Sequence, residues 1–277
     1  MPPKLHVKNL SQVPFVTLVG CFLDAFQDYT VRMPTDFEYY RQRWRAAGVD
    51  FALSYGMFDG DQLVGFIIHA VDERGGQRIA HNTGTGVLPA YRGRRIVQRI
   101  YDYALPDLRR NGVERTTLEV LTTNERAIRA YRRVGFRITR EYRCYRGNLS
   151  KASTVPVELR EHSMAEVQWE ELPDQSFYSW DFQPATLLAG NNRFFWVLYA
   201  GERESYFVLH PERKYLAQFG VLQERAGAWE RLFAGVRSQA ELVKVINVDA
   251  RLTEKLAVLE RWGFERTVDQ FEMERGV

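Results

Sequence analysis

The sequence predicts an α/β protein built as two similar lobes, residues 1–150 and 151–277. Three observations lead there. In the first 150 residues, helical 3.6-residue periodicities alternate with strand-like runs in the order α-α-β-β-β-α-β-α-β. The second half of that order calls for helices packed on a sheet, joined by right-handed crossovers where strands run parallel. Two landmarks then recur: Gly86-Val87-Leu88 as Gly220-Val221-Leu222, and Val134-Gly135-Phe136 as Trp262-Gly263-Phe264. The landmark glycines are 49 residues apart in the first copy and 43 in the second.

Val19, Phe22, Leu23 and Phe26 place the first helix over 17–29. Thr35 is a candidate N-cap for a second helix running toward Ala47. Segments 51–55 and 63–71 read as strands joined by the turn Phe58-Asp59-Gly60-Asp61. Gly75-Gly76 turns the chain into a third strand, 78–88, stopped by Pro89. A helix follows from about Gly93 with Ile96, Ile100, Tyr103 and Ala104 on one face, and Pro106 should kink or end it. Segment 116–121 reads as a short buried strand. Asn124 is placed to cap a helix striped by Ala127, Ile128, Tyr131 and Val134, with Gly135 as its terminator and 136–145 as the lobe's last strand. The boundary falls near 150–155. Beyond it, 194–199, 206–210, 214–221 and 242–247 read as strands, and 228–236 and 252–262 as helices.

Composition narrows the function classes. With 45% apolar and 26% charged residues the chain is neither disordered nor fibrous. No run approaches the roughly 18–20 apolar residues of a membrane span, and no apolar signal core follows Met1-Pro2-Pro3-Lys4. Two cysteines, Cys21 and Cys144, make neither a disulfide framework nor a metal knuckle. The expectation is a reduced, cytoplasmic protein with no metal site. Residues 1–150 hold 23 Lys+Arg against 15 Asp+Glu, and segment 91–150 holds 15 against 6. Such a basic half suits an anionic ligand, whether nucleic acid, an acidic protein or a phosphate-bearing cofactor; a solvated arginine face is the alternative.

The most informative stretch is Gly86-Val87-Leu88-Pro89-Ala90-Tyr91-Arg92-Gly93-Arg94-Arg95-Ile96-Val97. A strand ends, a short Arg/Gly loop follows, and an amphipathic helix begins. The unsatisfied N–H groups and positive dipole end of such a helix favour phosphate. Arg92, Arg94 and Arg95 can add charge-assisted hydrogen bonds.

This stretch resembles the pyrophosphate loop of the GNAT superfamily of N-acetyltransferases. Leu118-Glu119-Val120, Asn124, Ala127, Tyr131 and Gly135-Phe136 are similar to the family's downstream pattern. The resemblance covers about residues 10–147 and extends to 155–275 by layout only, as a tandem GNAT whose second lobe is degenerate. It implies two lobes, each a mixed, mostly antiparallel twisted sheet flanked by helices, with acetyl-CoA as cofactor and a primary amine as acceptor. Arg92, Gly93, Arg94, Arg95, Ile96 and Val97 would cradle the pyrophosphate. Val87 and Leu88 main-chain groups, Asn124 and Ala127 would line the pantetheine arm. Tyr131 would be the general acid; a core aromatic at helical spacing is its alternative. Glu119 resembles the general base of ribosomal-protein acetyltransferases in this family, or is a strand glutamate facing solvent or an arginine. His81, sharing a strand face with Thr83 and Thr85 by the two-residue period, is the runner-up base.

Two departures stand out. In the family pattern R-x-x-G-x-G/A, Arg95 and Val97 fill the later glycine positions. The second lobe has no Arg/Gly loop at 222–228 and carries Leu259 where the first has Tyr131. In the family the first two helices line the acceptor site, which here offers Asp28 and Tyr29, with Thr83 on the adjoining strand. The expected partner is a small-molecule amine, with no membrane and nucleic acid ranked last; the chain is expected as a monomeric pseudo-dimer or a homodimer. A non-catalytic acyl-CoA sensor or interaction module is the competing reading.

Overall fold

The computed structural model describes residues 5–29, 31–150 and 155–277. The opening Met1-Pro2-Pro3-Lys4 and residues 151–154 of the expected boundary lie outside them. The first elements are β1 (His6–Asn9), α1 (Phe15–Ala25), α2 (Phe37–Ala47), β2 (Tyr55–Asp59), β3 (Gln62–Arg74), β4 (Gln77–Val87), α3 (Ile96–Arg110), β5 (Arg115–Leu121) and α4 (Glu125–Arg133). Then come β6 (Arg137–Asn148), β7 (Glu158–His162), α5 (Pro184–Ala189), β8 (Arg193–Tyr199), β9 (Glu202–His210) and β10 (Tyr215–Val221). The chain ends with α6 (Ala228–Gln239), β11 (Leu242–Asp249), α7 (Thr253–Arg261) and β12 (Glu265–Gly276).

Two compact units result: Met1–Thr139 with Phe271–Val277, and Arg140–Gln270. The expected boundary near 150 moves because each repeat's last strand belongs to the other repeat's unit. β6 leaves α4 yet pairs antiparallel with β11, while β12 leaves α7 and ends beside β5. Within the first unit Glu274 binds Arg115 (3.2 Å) and Arg137 (3.1 Å), and Val277 N–H donates to the Glu114 carbonyl (3.0 Å). Met273 is fully buried in that unit's core.

The units share one topology. Antiparallel pairs run β1-β2-β3-β4 in the first and β7-β8-β9-β10 in the second. The next pair, β4–β5 or β10–β11, is parallel. Each carries the same β-bulge. The β3–β4 register passes from Ile68↔Gly84 to His69↔Asn82 and leaves Thr83 unopposed; the β9–β10 register leaves Ala217 unopposed. Both bulges lie three residues before the landmark glycine, so the repeat extends to an irregularity that apolar periodicity does not encode.

In the first unit α3 and α4 cover one sheet face, burying Ile100, Tyr101, Ala104, Leu108, Leu118, Ile128 and Phe136. Helices α1 and α2 cover the other with Leu18, Val19, Phe22, Tyr40 and Trp44 against Phe66 and Ile68. Each such Leu, Ile, Val or Phe side chain stabilises the fold by roughly 1.5–3 kcal/mol before conformational entropy. Gly86 is required for this closeness, since a Cβ there would stand 2.8 Å from that of Ala25.

Several local expectations change. α1 ends at Ala25, and Asp36 rather than Thr35 caps α2, accepting from Glu38 N–H at 2.9 Å. Residues Phe51–Leu53 form a 3-10 turn instead of a strand, because the Asp50 carboxylate accepts from Ala52 and Leu53 N–H. α3 begins at Ile96, not Gly93, and runs through Pro106 to Arg110. A proline costs a helix interior about 3 kcal/mol; the buried stripe continuing to Leu108 outweighs that. Tyr103 is 50% exposed, and Tyr101 takes the buried place expected for it. Cys21 and Cys144 are buried and unbridged, and burial lifts the Cys21 thiol to about 12. No helix among the described residues is long and apolar enough to cross a membrane.

His69 on β3 is fully buried, its Nδ1 2.7 Å from the Leu53 carbonyl, which assigns the proton to Nδ1. Burial pulls its pKa from 6.5 down to about 4. The unfolded chain therefore binds a proton that the folded chain refuses. Stability should be complete above about pH 6.5 and fall by up to about 3 kcal/mol as pH drops toward 4. Urea midpoints across that range check this, with His69→Asn expected to flatten the dependence.

Candidate functional site

Strands β4 and β5 pair only from Ile79↔Arg115 to Asn82↔Leu118. Beyond that point they part, just where the Thr83 bulge bends β4. The Thr83 hydroxyl is buried at this parting with no hydrogen-bond partner among the described residues.

The bulge also changes which side chains share a face. His81 and Thr85, expected together, are separated. Inserting one residue breaks the two-residue alternation, so Asn82 and Thr85 come to the helix-covered face instead. Asn82 Nδ2 donates to Thr85 Oγ1 (2.7 Å) and to the Tyr101 hydroxyl of α3 (3.0 Å), while its Oδ1 accepts from Gly84 N–H (3.1 Å). Tyr131 of α4 joins this network. Burial lifts its phenol to about 12, partly opposed by hydrogen bonding to Thr85 and Asn82. It is therefore protonated at neutral pH. Tyr29, beyond the end of α1, neighbours Tyr131 and hydrogen-bonds Asn124. Asn124 in turn caps α4 by accepting from Ala127 N–H at 3.1 Å.

On the other sheet face, His81 Nδ1 lies 2.9 Å from Thr117 Oγ1 of β5. Leu118 and Val120 pack into the core with Tyr131, so alternation turns Thr117 and Glu119 to the His81 side. Glu119 is half-buried and His81 buried. The structure thus separates the phenol from both candidate bases by the thickness of the sheet.

The loop before α3 departs from expectation at Arg92. Its guanidinium pairs with Asp28 (Nη2 to Oδ1, 2.7 Å) and also donates to the Ala25 carbonyl (2.9 Å) and, through Nε, the Val87 carbonyl (3.2 Å). The hydrogen bond from Arg92 holds the Asp28 carboxyl below its usual range. Arg92 and Asp28 together bolt α1 to β4, which engages both the expected phosphate ligand and the expected acceptor carboxylate. Leu88 N–H is likewise engaged, by the Val64 carbonyl at 2.9 Å. Arg94 lies over the Tyr91 ring (5.0 Å), and Ile96 is a core residue. Arg95 adopts φ 55°, as the left-handed N-cap of α3, and no side chain caps that helix. The family glycine at this position thus meets a backbone demand that a non-glycine residue satisfies at about 1–2 kcal/mol.

Sequence reasoning missed Asn82, Tyr101 and Thr117. A polar Asn82 inside an apolar strand, two residues before Gly84, was the available signal; the bulge that aims it was not legible.

The second unit's equivalent positions differ. Phe136 N–H bonds the Tyr131 carbonyl and Phe264 N–H the Leu259 carbonyl, each at 3.0 Å, which fixes the correspondence of Tyr131 with Leu259. Counting back, Asn247 stands for Glu119 and Lys255 for Ala127. β10 and β11 pair only at Tyr215↔Lys244. Their parting is filled by Lys255, whose Nζ reaches the Phe219 carbonyl (2.8 Å), Asp174 (2.5 Å) and the Tyr178 hydroxyl (3.3 Å). At the start of α6, Arg231 pairs with buried Glu204 (2.7 and 2.6 Å) and lies over Gly227.

Residues 19–136 match the acetyltransferase (GNAT) family. A search of curated protein sequences returns no relative. Among solved structures, a tandem GNAT protein from the clavulanic acid biosynthesis pathway superposes with TM-score 0.70 at 14% identity, over 99% of this chain and 98% of its own. A GCN5-related N-acetyltransferase from Sphaerobacter thermophilus gives 0.65 at 13%, over 100% and 96%. One from Anabaena variabilis gives 0.61 at 14%, over 98% and 72%. At such identities the likeness is one of fold. Residues 19–136 therefore form an acetyltransferase domain of the GNAT family, in a chain whose fold matches that of a tandem GNAT protein.

Proposed function

We propose that the first unit is an acetyl-CoA-dependent N-acetyltransferase acting on a primary amine of a small molecule, and that the second unit is non-catalytic. The buried, neutral phenol of Tyr131 at the parting of β4 and β5 carries this reading. The residues fit the cofactor. The uncapped N-terminus of α3 and the exposed Arg94 and Arg95 suit a pyrophosphate, and the parted strands with the orphaned Thr83 hydroxyl suit a polar arm between them. Acetyl-CoA supplies an activated thioester and a thiolate leaving group. Glu119 would take a proton from the incoming ammonium, with His81 as the other candidate, and Tyr131 would give one to the leaving sulfur. Because the base and the acid lie on opposite sheet faces, amine and thiol would be served from opposite sides in a single ternary complex.

Asp28 is already engaged by Arg92, so ammonium recognition falls to Glu119. Calorimetry should find one acetyl-CoA per chain, weakened in Arg95→Ala, because Lys255 and Arg231 fill the second unit's corresponding places. Two equivalents would refute the division of labour. The sensor reading rests on Arg95 and Val97 in the glycine positions; binding without acetyl transfer to any amine of a broad panel would favour it.

A further inference from the structure

The loop before α3 is tied to the hairpin of β2 and β3. Asp59 and Gln62 face each other across the Gly60-Asp61 turn, and the Tyr91 hydroxyl donates to Asp59 Oδ2 at 2.7 Å. Asp59 Oδ1 is buried with no hydrogen-bond partner among the described residues. A carboxylate half-stripped of water loses much if its remaining bond opens, so the phenol is held firmly. The Tyr91 ring is in turn the floor beneath Arg94, whose guanidinium lies 5.0 Å from the ring centre. Donation to a carboxylate pushes electron density into the ring, which strengthens its attraction for a cation. Arg94 is exposed and directly precedes Arg95, the N-cap of α3, and among the described residues no carboxylate pairs with it.

The second unit repeats this tie with the chemistry exchanged. Tyr199 and Glu202 close its hairpin as Asp59 and Gln62 close the first. Leu222 N–H bonds the Glu204 carbonyl (2.8 Å) as Leu88 N–H bonds that of Val64 (2.9 Å). Arg225 stands five residues past Gly220, as Tyr91 does past Gly86, and lies over the Tyr199 ring at 5.8 Å. There the ring sits on the hairpin and the cation on the loop, and both guanidiniums are consumed within the unit, Arg225 by Glu202 (2.5 Å) and Arg231 by Glu204 (2.6 Å). In the first unit the hairpin carboxylate is spent on a phenol instead, which leaves the N–H donors of Arg94 for an anion from outside.

On the reading of this unit as an acetyl-CoA site, we propose that Asp59 and Tyr91 are positioning residues that hold Arg94 at the start of α3, where its guanidinium pairs with a cofactor phosphate. Asp59 fixes the ring, and the ring fixes the arginine. The bond that Arg94 makes to phosphate therefore costs less side-chain entropy than one from an arginine loose in water.

The experiment is a double-mutant cycle on the full chain, read as acetyl-CoA affinity by calorimetry. Arg94→Gln should weaken binding about 10-fold, as for the loss of one charge-assisted hydrogen bond. Tyr91→Phe keeps the ring and releases it from Asp59, and should weaken binding about 2–5-fold, as should Asp59→Ala. Asp59→Asn, which keeps an acceptor for the phenol, should retain the wild-type affinity. Tyr91→Phe/Arg94→Gln should bind no more weakly than Arg94→Gln alone, because the tie acts through the arginine. Unchanged affinity in Tyr91→Phe or in Arg94→Gln overturns the proposal. Losses that multiply in the double variant also overturn it, since they would show a general loosening of the loop. A wild-type chain that binds acetyl-CoA but transfers nothing would refute the acetyltransferase reading alone, with the cycle still deciding the role of the tie. A wild-type chain that binds no acetyl-CoA would refute both.

Discussion

Replacing Tyr131 with phenylalanine should lower kcat by about 10²–10⁴-fold, the range expected for removing a general acid, while acetyl-CoA affinity changes little. The hydroxyl is buried and its phenol is pushed to about 12, so no titration of Tyr131 falls in the working pH range. The pH profile of the residual activity should therefore keep the shape of the wild type, reporting the base alone. The ring is retained by phenylalanine, and with it the edge contact to Phe136 at 5.8 Å, so stability should hold. Steady-state kinetics with calorimetry separate the outcomes. An unchanged kcat would remove Tyr131 from the chemistry, and a lost acetyl-CoA affinity would make it a packing residue of the cofactor site.

Deleting Phe271–Val277 should destabilise the first unit by at least about 4 kcal/mol, since truncating one buried Met alone costs about 2–5 kcal/mol. Met273 is fully buried, and Glu274 is shared by Arg115 and Arg137. The loss is a large part of a typical total of about 5–15 kcal/mol. Trp44 is the only one of the six tryptophans in the first unit, so its fluorescence separates that unit's unfolding from the other's. The chain should lose acetyl-CoA binding together with the Trp44 transition, and a peptide spanning 264–277 supplied in trans should restore both. An unchanged transition would mean that β12 completes the sheet without supporting it. By the same reasoning residues 1–150 expressed alone should be unstable, although they contain every residue of the family pattern.

The legible part of the site was its local chemistry. A strand, an Arg/Gly loop and a helix start are contiguous in sequence, as are Asn124, Ala127, Tyr131 and Gly135 on one helix, and the structure forms α3, β5 and α4 there. The identity of Arg92 fits a phosphate ligand, and only the approach of Asp28, 64 residues away, and of the Ala25 carbonyl gives its guanidinium these further partners. His81 and Thr85 were misread because one unopposed residue reverses strand alternation, and a bulge leaves no trace in the apolar pattern.

The sequence by itself determined the order of elements from α1 to β6, the recurring landmarks and the loss of the phenol from the second repeat, because each rests on residues close together in the chain; β1, β7 and β12 carried no such local signal. The tertiary structure alone decided that β6 and β12 cross to the opposite units, that Lys255 and Arg231 fill the second repeat's cleft, and that Asn82 joins Thr85 to Tyr101. These depend on which strand edges meet and which donors find acceptors, choices made by long-range pairing that local propensity does not record.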